Sequence, residues 1–217
     1  DRHLPGMWRV GQTLAGGNLG HTFGVDGTDE RSLTEALVYG RQLMTEYELF
    51  YRRYMTGYSE IELAATGALL GIRETRRIVG DYQLNLADFQ ARAVFPDEIG
   101  RYSYPVDIHA SDPSAEAFDK LMEGLHSFRL GIGESYGIPY RTLTPKGLSN
   151  VLVAGRCISA DRPLQGSVRV MPGCYITGQA AGVAAALASS MDQDVHEIEV
   201  SEVQGRLKEL GAYLPNA

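Results

Sequence analysis

Residues 150–155, Asn-Val-Leu-Val-Ala-Gly, constrain the fold more than any other stretch of this chain. They read as a short, wholly apolar strand ending in glycine, the kind that a layered α/β domain buries on both faces. A polar, glycine-containing loop follows over 156–171. Pro172 then stands where a first helical turn tolerates it, because the first amides of a helix have no intrahelical acceptor. The spacing predicts a helix from there to about Ser190. One face of it, Gly178, Ala181, Gly182 and Ala185, has almost no side chain. Such a face implies close backbone approach to a sheet or a ligand, so leucine at Gly178 or Gly182 is expected to overpack it. A strand–loop–helix unit delivers its backbone to the carboxyl end of the strand, where α/β sheets bind ligands. The free amides and dipole of the helix start favour negative charge nearby. Ordinary strand–helix packing, with glycine serving turns alone, accounts for the pattern equally well.

The rest of the chain alternates between short extended runs and helices. Residues 1–28 are turn-rich. Ser32-Leu-Thr-Glu35 is a capping box, and Leu33, Leu37, Gly40, Leu43, Met44, Tyr47 and Phe50 or Tyr51 recur at helical spacing. They predict a helix over 33–54, long enough to flank a domain or a subunit contact. Strands are expected over 61–75 and 77–84, with bends at Gly71 and Gly80. A short helix is expected from Asn85 or Asp88 to Ala91. Residues 99–109 alternate as a strand, with Tyr102, Tyr104, Val106 and Ile108 on one face and Pro105 making it an edge. An amphipathic helix is expected over 114–126, with Phe118, Leu121, Met122 and Leu125 inward, then a strand over 136–143. Ser201-Glu-Val-Gln204 is a second capping box, opening a last helix to about Leu210. The fold class is α/β (α+β): an antiparallel sheet, a C-terminal strand–helix unit and flanking helices. Two regions are expected, 1–145 and 146–217.

Composition excludes several functions. A formal net charge of -7 argues against nucleic acid as the main partner, which needs a basic face. Apolar residues at 44% and charged residues at 22% exclude disorder as the main state. No segment reaches the ~18 consecutive apolar residues of a membrane span, and no signal peptide opens the chain. Two cysteines make no disulfide framework, so a reducing, cytoplasmic setting is expected. Cys157 and Cys174 lack C-x-x-C spacing and read as two small buried residues rather than a redox dithiol. Five scattered histidines show no metal-ligand spacing, so no metal site is expected.

Three blocks then carry a family likeness. The strings Asn150-Val-Leu-Val-Ala-Gly-Arg-Cys-Ile-Ser-Ala160, Arg169-Val-Met-Pro-Gly173 and Gly178-Gln-Ala-Ala-Gly182 resemble the C-terminal flavin-contacting signature of the FAD-dependent oxidoreductase family. Those are glutathione-reductase-like flavoproteins, related to fumarate reductase and succinate dehydrogenase flavoprotein subunits. Arg73-Glu-Thr-Arg-Arg-Ile-Val-Gly80-Asp-Tyr resembles the entry to their substrate domain. Tyr104-Pro-Val-Asp-Ile-His109 and Ile138-Pro-Tyr-Arg141 resemble their substrate-side strands. The likeness spans about 72–188, in order. It implies FAD as cofactor and a sheet over the flavin. It implies flavin contacts from Gly155, Arg156, Ser159, Arg169, Val170, Met171, Gly178, Gln179, Ala180 and Ala181. An anionic reduced flavin, charged around N1 and the C2 carbonyl, would use the helix start.

One part of the family pattern is missing. The family holds the ADP half of FAD on an N-terminal βαβ unit with G-x-G-x-x-G, and this chain has none. Its nearest string, Gly131-Ile-Gly-Glu-Ser-Tyr136, has Tyr where the last Gly belongs, and a strand is expected after it. With Asp1 and no initiator Met at its start, the chain is expected to be a C-terminal portion whose partner is the missing dinucleotide-binding part. Free FAD is expected to bind it weakly. His109 and Arg141 are the substrate-side candidates, His109 to move a proton and Arg141 to hold an anionic small-molecule substrate. The bland reading is that both are surface ion pairs, and that Arg73, Arg76 and Arg77 form a lattice with Glu74 and Asp81. Association as a homo-oligomer stays open. The rival class is a non-catalytic module that packs on a partner without binding flavin.

Overall fold

The computed structural model describes residues 7–110, 112–124 and 129–217, except for the side chain of Phe118. Helices and small antiparallel sheets make up the α/β (α+β) fold class expected. The chain divides into two compact units, 1–72 with 110–118, and 73–109 with 119–217. The boundary expected at 145/146 lies inside the second unit, because residues 78–84 hydrogen-bond to both 141–146 and 157–161.

The first unit opens with a hairpin of β1 (Met7–Arg9) and β2 (Ala15–Gly17). Helix α1 (Glu30–Tyr54) follows. Its cap is Asp29, whose side chain accepts the Arg31 amide, rather than the expected Ser32 box. Ser32 is already inside the helix, and its hydroxyl accepts the Asp26 amide instead. The predicted apolar face of α1 is half-buried, with Ala36 and Tyr51 fully buried and Phe50 exposed. Gly20, in the left-handed region, lies against Tyr47 and Met44 of that face. The strand expected over 61–75 is absent: no ladder forms there, and Leu63 and Leu69 are exposed.

The second unit holds the larger core. Helix α2 (Leu86–Ala91) starts at Asn85 with a full capping box to Asp88, as its sequence suggests. Strand β3 (Glu98–Tyr102) precedes α3 (Ala115–Gly124), within which the division between units falls. Met122 is exposed rather than inward, and Leu125, with the expected end of that helix, lies outside the described residues. Strand β4 (Tyr136–Pro139) pairs antiparallel with β3, Tyr102 opposite Tyr136. It ends in a 3-10 turn, Tyr140–Thr142, rather than continuing to 143. Phe89, Ile99, Tyr136, Ile138, Leu143 and Leu164 are among the fully buried side chains, each contributing roughly 1.5–3 kcal/mol by leaving water.

The strand expected over 99–109 stops at Tyr102 because its partner begins at Tyr136. Residues 104–108 run instead along α4 (Arg162–Val168), a helix within the expected loop 156–171. The Ser167 hydroxyl donates to the Tyr104 carbonyl at 2.7 Å. Gly166 permits the approach, since a Cβ there would stand 3.1 Å from the Asp107 carbonyl oxygen. Asp161 caps α4, accepting the Leu164 amide at 2.8 Å, with Pro163 in the first turn. That Asp-x-Pro signature was present in the sequence.

The expected strand at 150–155 is also corrected. Val151 is exposed and no ladder forms; the backbone–backbone bond found there is Val153 N–H to the Leu143 carbonyl. The buried extended segment is the next one, Ile158 to Ala160, which bonds to Leu84 and Thr142. Residues 77–84 form no strand, since their amides alternate between two neighbours: Ile78 to Cys157, Tyr82 to Arg141, and Leu84 to Ser159. Gly80 is needed there for contact, as a Cβ would meet that of Ser159 at 2.7 Å.

Helix α5 (Met171–Met191) matches its predicted span, and α6 (Val200–Glu209) its approximate one, though α6 has no side-chain cap and Glu199 rather than Ser201 stands at its start. Among the described residues no single helix is long and apolar enough to cross a membrane; α4 and α5 meet at 89°. The close-packed face of α5 is Gly173, Thr177, Ala180, Ala184 and Ala188. The face read from sequence, Gly178 and Gly182, is exposed, with nothing within 4 Å of a Cβ at either position. The overpacking expectation is therefore reversed. Gly178→Ala is expected to stabilise this chain by about 0.5–1 kcal/mol through helix propensity. Thermal melting checks it, and a lowered midpoint would show a crowded face.

Candidate functional site

Three buried polar residues of this unit, Gln165, Arg169 and Thr177, lie where α4, the 3-10 turn Gly155–Cys157 and the start of α5 meet. Gly155 has a φ of +80°, a left-handed conformation that favours glycine. Its amide donates to the Thr177 hydroxyl at 3.0 Å, which fastens the turn to α5. Gln165 of α4 is fully buried and ties three segments together. Its amide nitrogen donates to the Arg73 carbonyl at 2.9 Å and the Arg156 carbonyl at 3.3 Å, and its oxygen accepts from Arg169 at 3.4 Å. Sequence reading missed Gln165 and Thr177, because a lone polar residue on a helix reads as solvent-facing until its neighbours are known.

Arg169 sits between α4 and α5 with 9% of its surface exposed. One terminal nitrogen donates to the Asp107 carbonyl at 2.6 Å, and the other lies 3.6 Å from Glu74. Its Nε is buried without a hydrogen-bond partner. Burial, with Arg73 close by, makes its charge harder to hold than usual. Val170, at the N-cap of α5, makes no side-chain cap hydrogen bond, and Met171 in the first turn is 68% exposed.

The remaining sequence candidates fall in several places. Gly178 and Gln179 are exposed on α5, Ala181 is half-buried, and Ser159 and Ala180 are buried within the unit's core. His109 Nε2 lies 3.4 Å from Asp107, and Arg73 lies 3.4 Å from the other oxygen of the same carboxylate. His109 first, then Arg73 and Arg169, hold the Asp107 carboxyl below its ordinary range. Arg141 belongs to a different pair: it grips Asp97 with two nitrogens at 2.9 and 3.2 Å and lies 5.1 Å over the Tyr82 ring. Of the lattice expected among Arg73, Arg76, Arg77, Glu74 and Asp81, the pair of Arg77 with Glu74 at 3.0 Å forms; Arg73 turns to Asp107 instead, Asp81 to Thr144 and His196, and Glu74 also lies 3.9 Å from Arg162. Among the described residues no cluster of His, Cys, Asp or Glu is placed to hold a metal.

The left-handed Gly155 turn is thus fastened to α5, next to the buried Arg169. The chain belongs to the FAD dependent oxidoreductase family, whose family model matches residues 2–207. No match was found among curated proteins or among solved structures. Membership supports a flavin-dependent oxidoreductase role, with FAD as the cofactor of the family.

Proposed function

We propose that this chain forms the isoalloxazine-side and substrate-side walls of a glutathione-reductase-like flavoenzyme, with the ADP half of FAD held outside it. The observation that carries this reading is the uncapped start of α5 beside the orphaned Nε of Arg169. Bound there, the flavin would supply hydride transfer at its N5. The start of α5 would favour negative charge on the bound ring, and Arg169 would supply the countercharge. Gly155 and Arg156 line the turn, and Val170 and Met171 the helix start. His109, oriented by Asp107, moves a proton to or from the substrate. Arg73 shares that carboxylate and faces an anionic small molecule. Arg141 binds such an anion only by exchanging Asp97 for it.

The test is a titration of the isotope-labelled chain with FMN, which carries the ring without the ADP half. Amide shifts are expected at 155–157 and 170–174. Shifts confined to other segments, or none at millimolar FMN, would overturn the assignment. FAD is expected to bind no more tightly than FMN, because the chain has no glycine-rich cradle for a pyrophosphate.

A further inference from the structure

The chain's two cysteines, 17 positions apart in sequence, lie on two segments that the fold fastens to each other. Cys157 ends the turn Gly155–Cys157 and is exposed; Cys174 lies in the first turn of α5 and is half-buried. One hydroxyl joins their backbones: Thr177 Oγ accepts the Gly155 amide at 3.0 Å and lies 3.1 Å from the Cys174 carbonyl. Neither thiol is in a disulfide, and both make weak contacts to carbonyls, Cys157 to Ala154 at 3.6 Å and Cys174 to Arg169 at 3.3 Å and Val168 at 4.0 Å. Burial above all pushes the Cys174 thiol up; Arg156 opposes that shift and Cys157 adds to it.

We infer that Cys157 and Cys174 form a reversible thiol–disulfide pair, oxidised by a low-molecular-weight disulfide and reduced by a dithiol. Cys157, the exposed member, attacks first as its thiolate and displaces one half of the small disulfide, leaving a mixed disulfide on Cys157. Cys174 gives its proton to solvent and attacks the Cys157 sulfur, expelling the second half as a thiol. The two cysteines lose two electrons and two protons, and the small disulfide takes them up as two thiols. The bond ties the turn to the helix start. It does not depend on flavin, so it stands or falls apart from the function proposed above.

The test uses the folded chain with oxidised glutathione, followed by trypsin without reduction. Cleavage after Arg156, Arg169 and Arg206 puts the two cysteines in separate peptides, 157–169 and 170–206. The expected product is one cross-linked species, about 2 Da lighter than the two peptides together, that dithiothreitol resolves. Cys174→Ser is expected to retain glutathione on Cys157, and Cys157→Ser to yield no cross-link. Two unreacted thiols, a stable glutathione adduct on the wild-type chain, or disulfide-linked dimers in place of the internal bond would each overturn the inference.

Discussion

Replacing Arg101 with Met is expected to cost about 3–5 kcal/mol of stability, the usual loss when one partner of a buried ion pair is removed. Arg101 and Glu98 stand 2.9 Å apart with side chains only 8% and 0% exposed. Arg101 also donates to the Ser135 carbonyl at 2.7 Å and the Ser135 hydroxyl at 2.9 Å, linking β3 to the turn before β4. Without Arg101, the Glu98 carboxylate keeps the Asn216 amide at 3.2 Å but no counter-charge. The melting midpoint should fall by roughly 10 °C. Combining Arg101→Met with Glu98→Leu should recover part of the loss, because no buried charge is then left unpaired. An unchanged midpoint in the single variant would show that the pair is solvated.

In the intact flavoenzyme, His109→Gln is expected to lower turnover by ~10²–10⁴-fold, the usual contribution of a general acid or base. Glutamine keeps a hydrogen-bonding group toward Asp107 but cannot move a proton at neutral pH. The flavin absorption spectrum should stay unchanged, since His109 pairs with the Asp107 side chain, whose backbone carbonyl in turn holds Arg169. Asp107→Asn should act at one remove. It loosens the ring of His109 and releases Arg73, so both kcat and substrate KM are expected to change, by less than for His109→Gln. Steady-state kinetics with a spectrum of each variant separates these outcomes. Full turnover in His109→Gln would remove His109 from the reaction and leave it a surface partner of Asp107.

Much of the helical framework was legible in the residues themselves. Asn85 and Asp88 form their capping box because cap, helix and acceptor lie within four residues. Helix α5 could be read from Pro172 and an unbroken run of helix-compatible residues. The strands were read too generously. An apolar run such as 150–155 becomes a strand only if another backbone lies alongside to complete its ladder, and local sequence does not carry that information. The same limit explains 103–109, where α4 stands in the place of a neighbouring strand. Glycine misled in a related way: Gly178 and Gly182 looked like contact points and are open, whereas Gly80, Gly137 and Gly166 are the positions where backbones or side chains close in.

The sequence by itself determined the α/β class, the helices whose signals are local, and the family, through short motifs kept in order along the chain. Tertiary structure alone decided the groupings that chemistry depends on. Gln165 joins Arg73, Arg156 and Arg169, Asp107 joins His109 to Arg73, and Thr177 fastens the turn of Cys157 to the helix of Cys174. Helix periodicity acts over three or four residues and can be read along the chain. These contacts bridge separations of up to 92 residues, and only packing of the core selects which of the many alternatives forms.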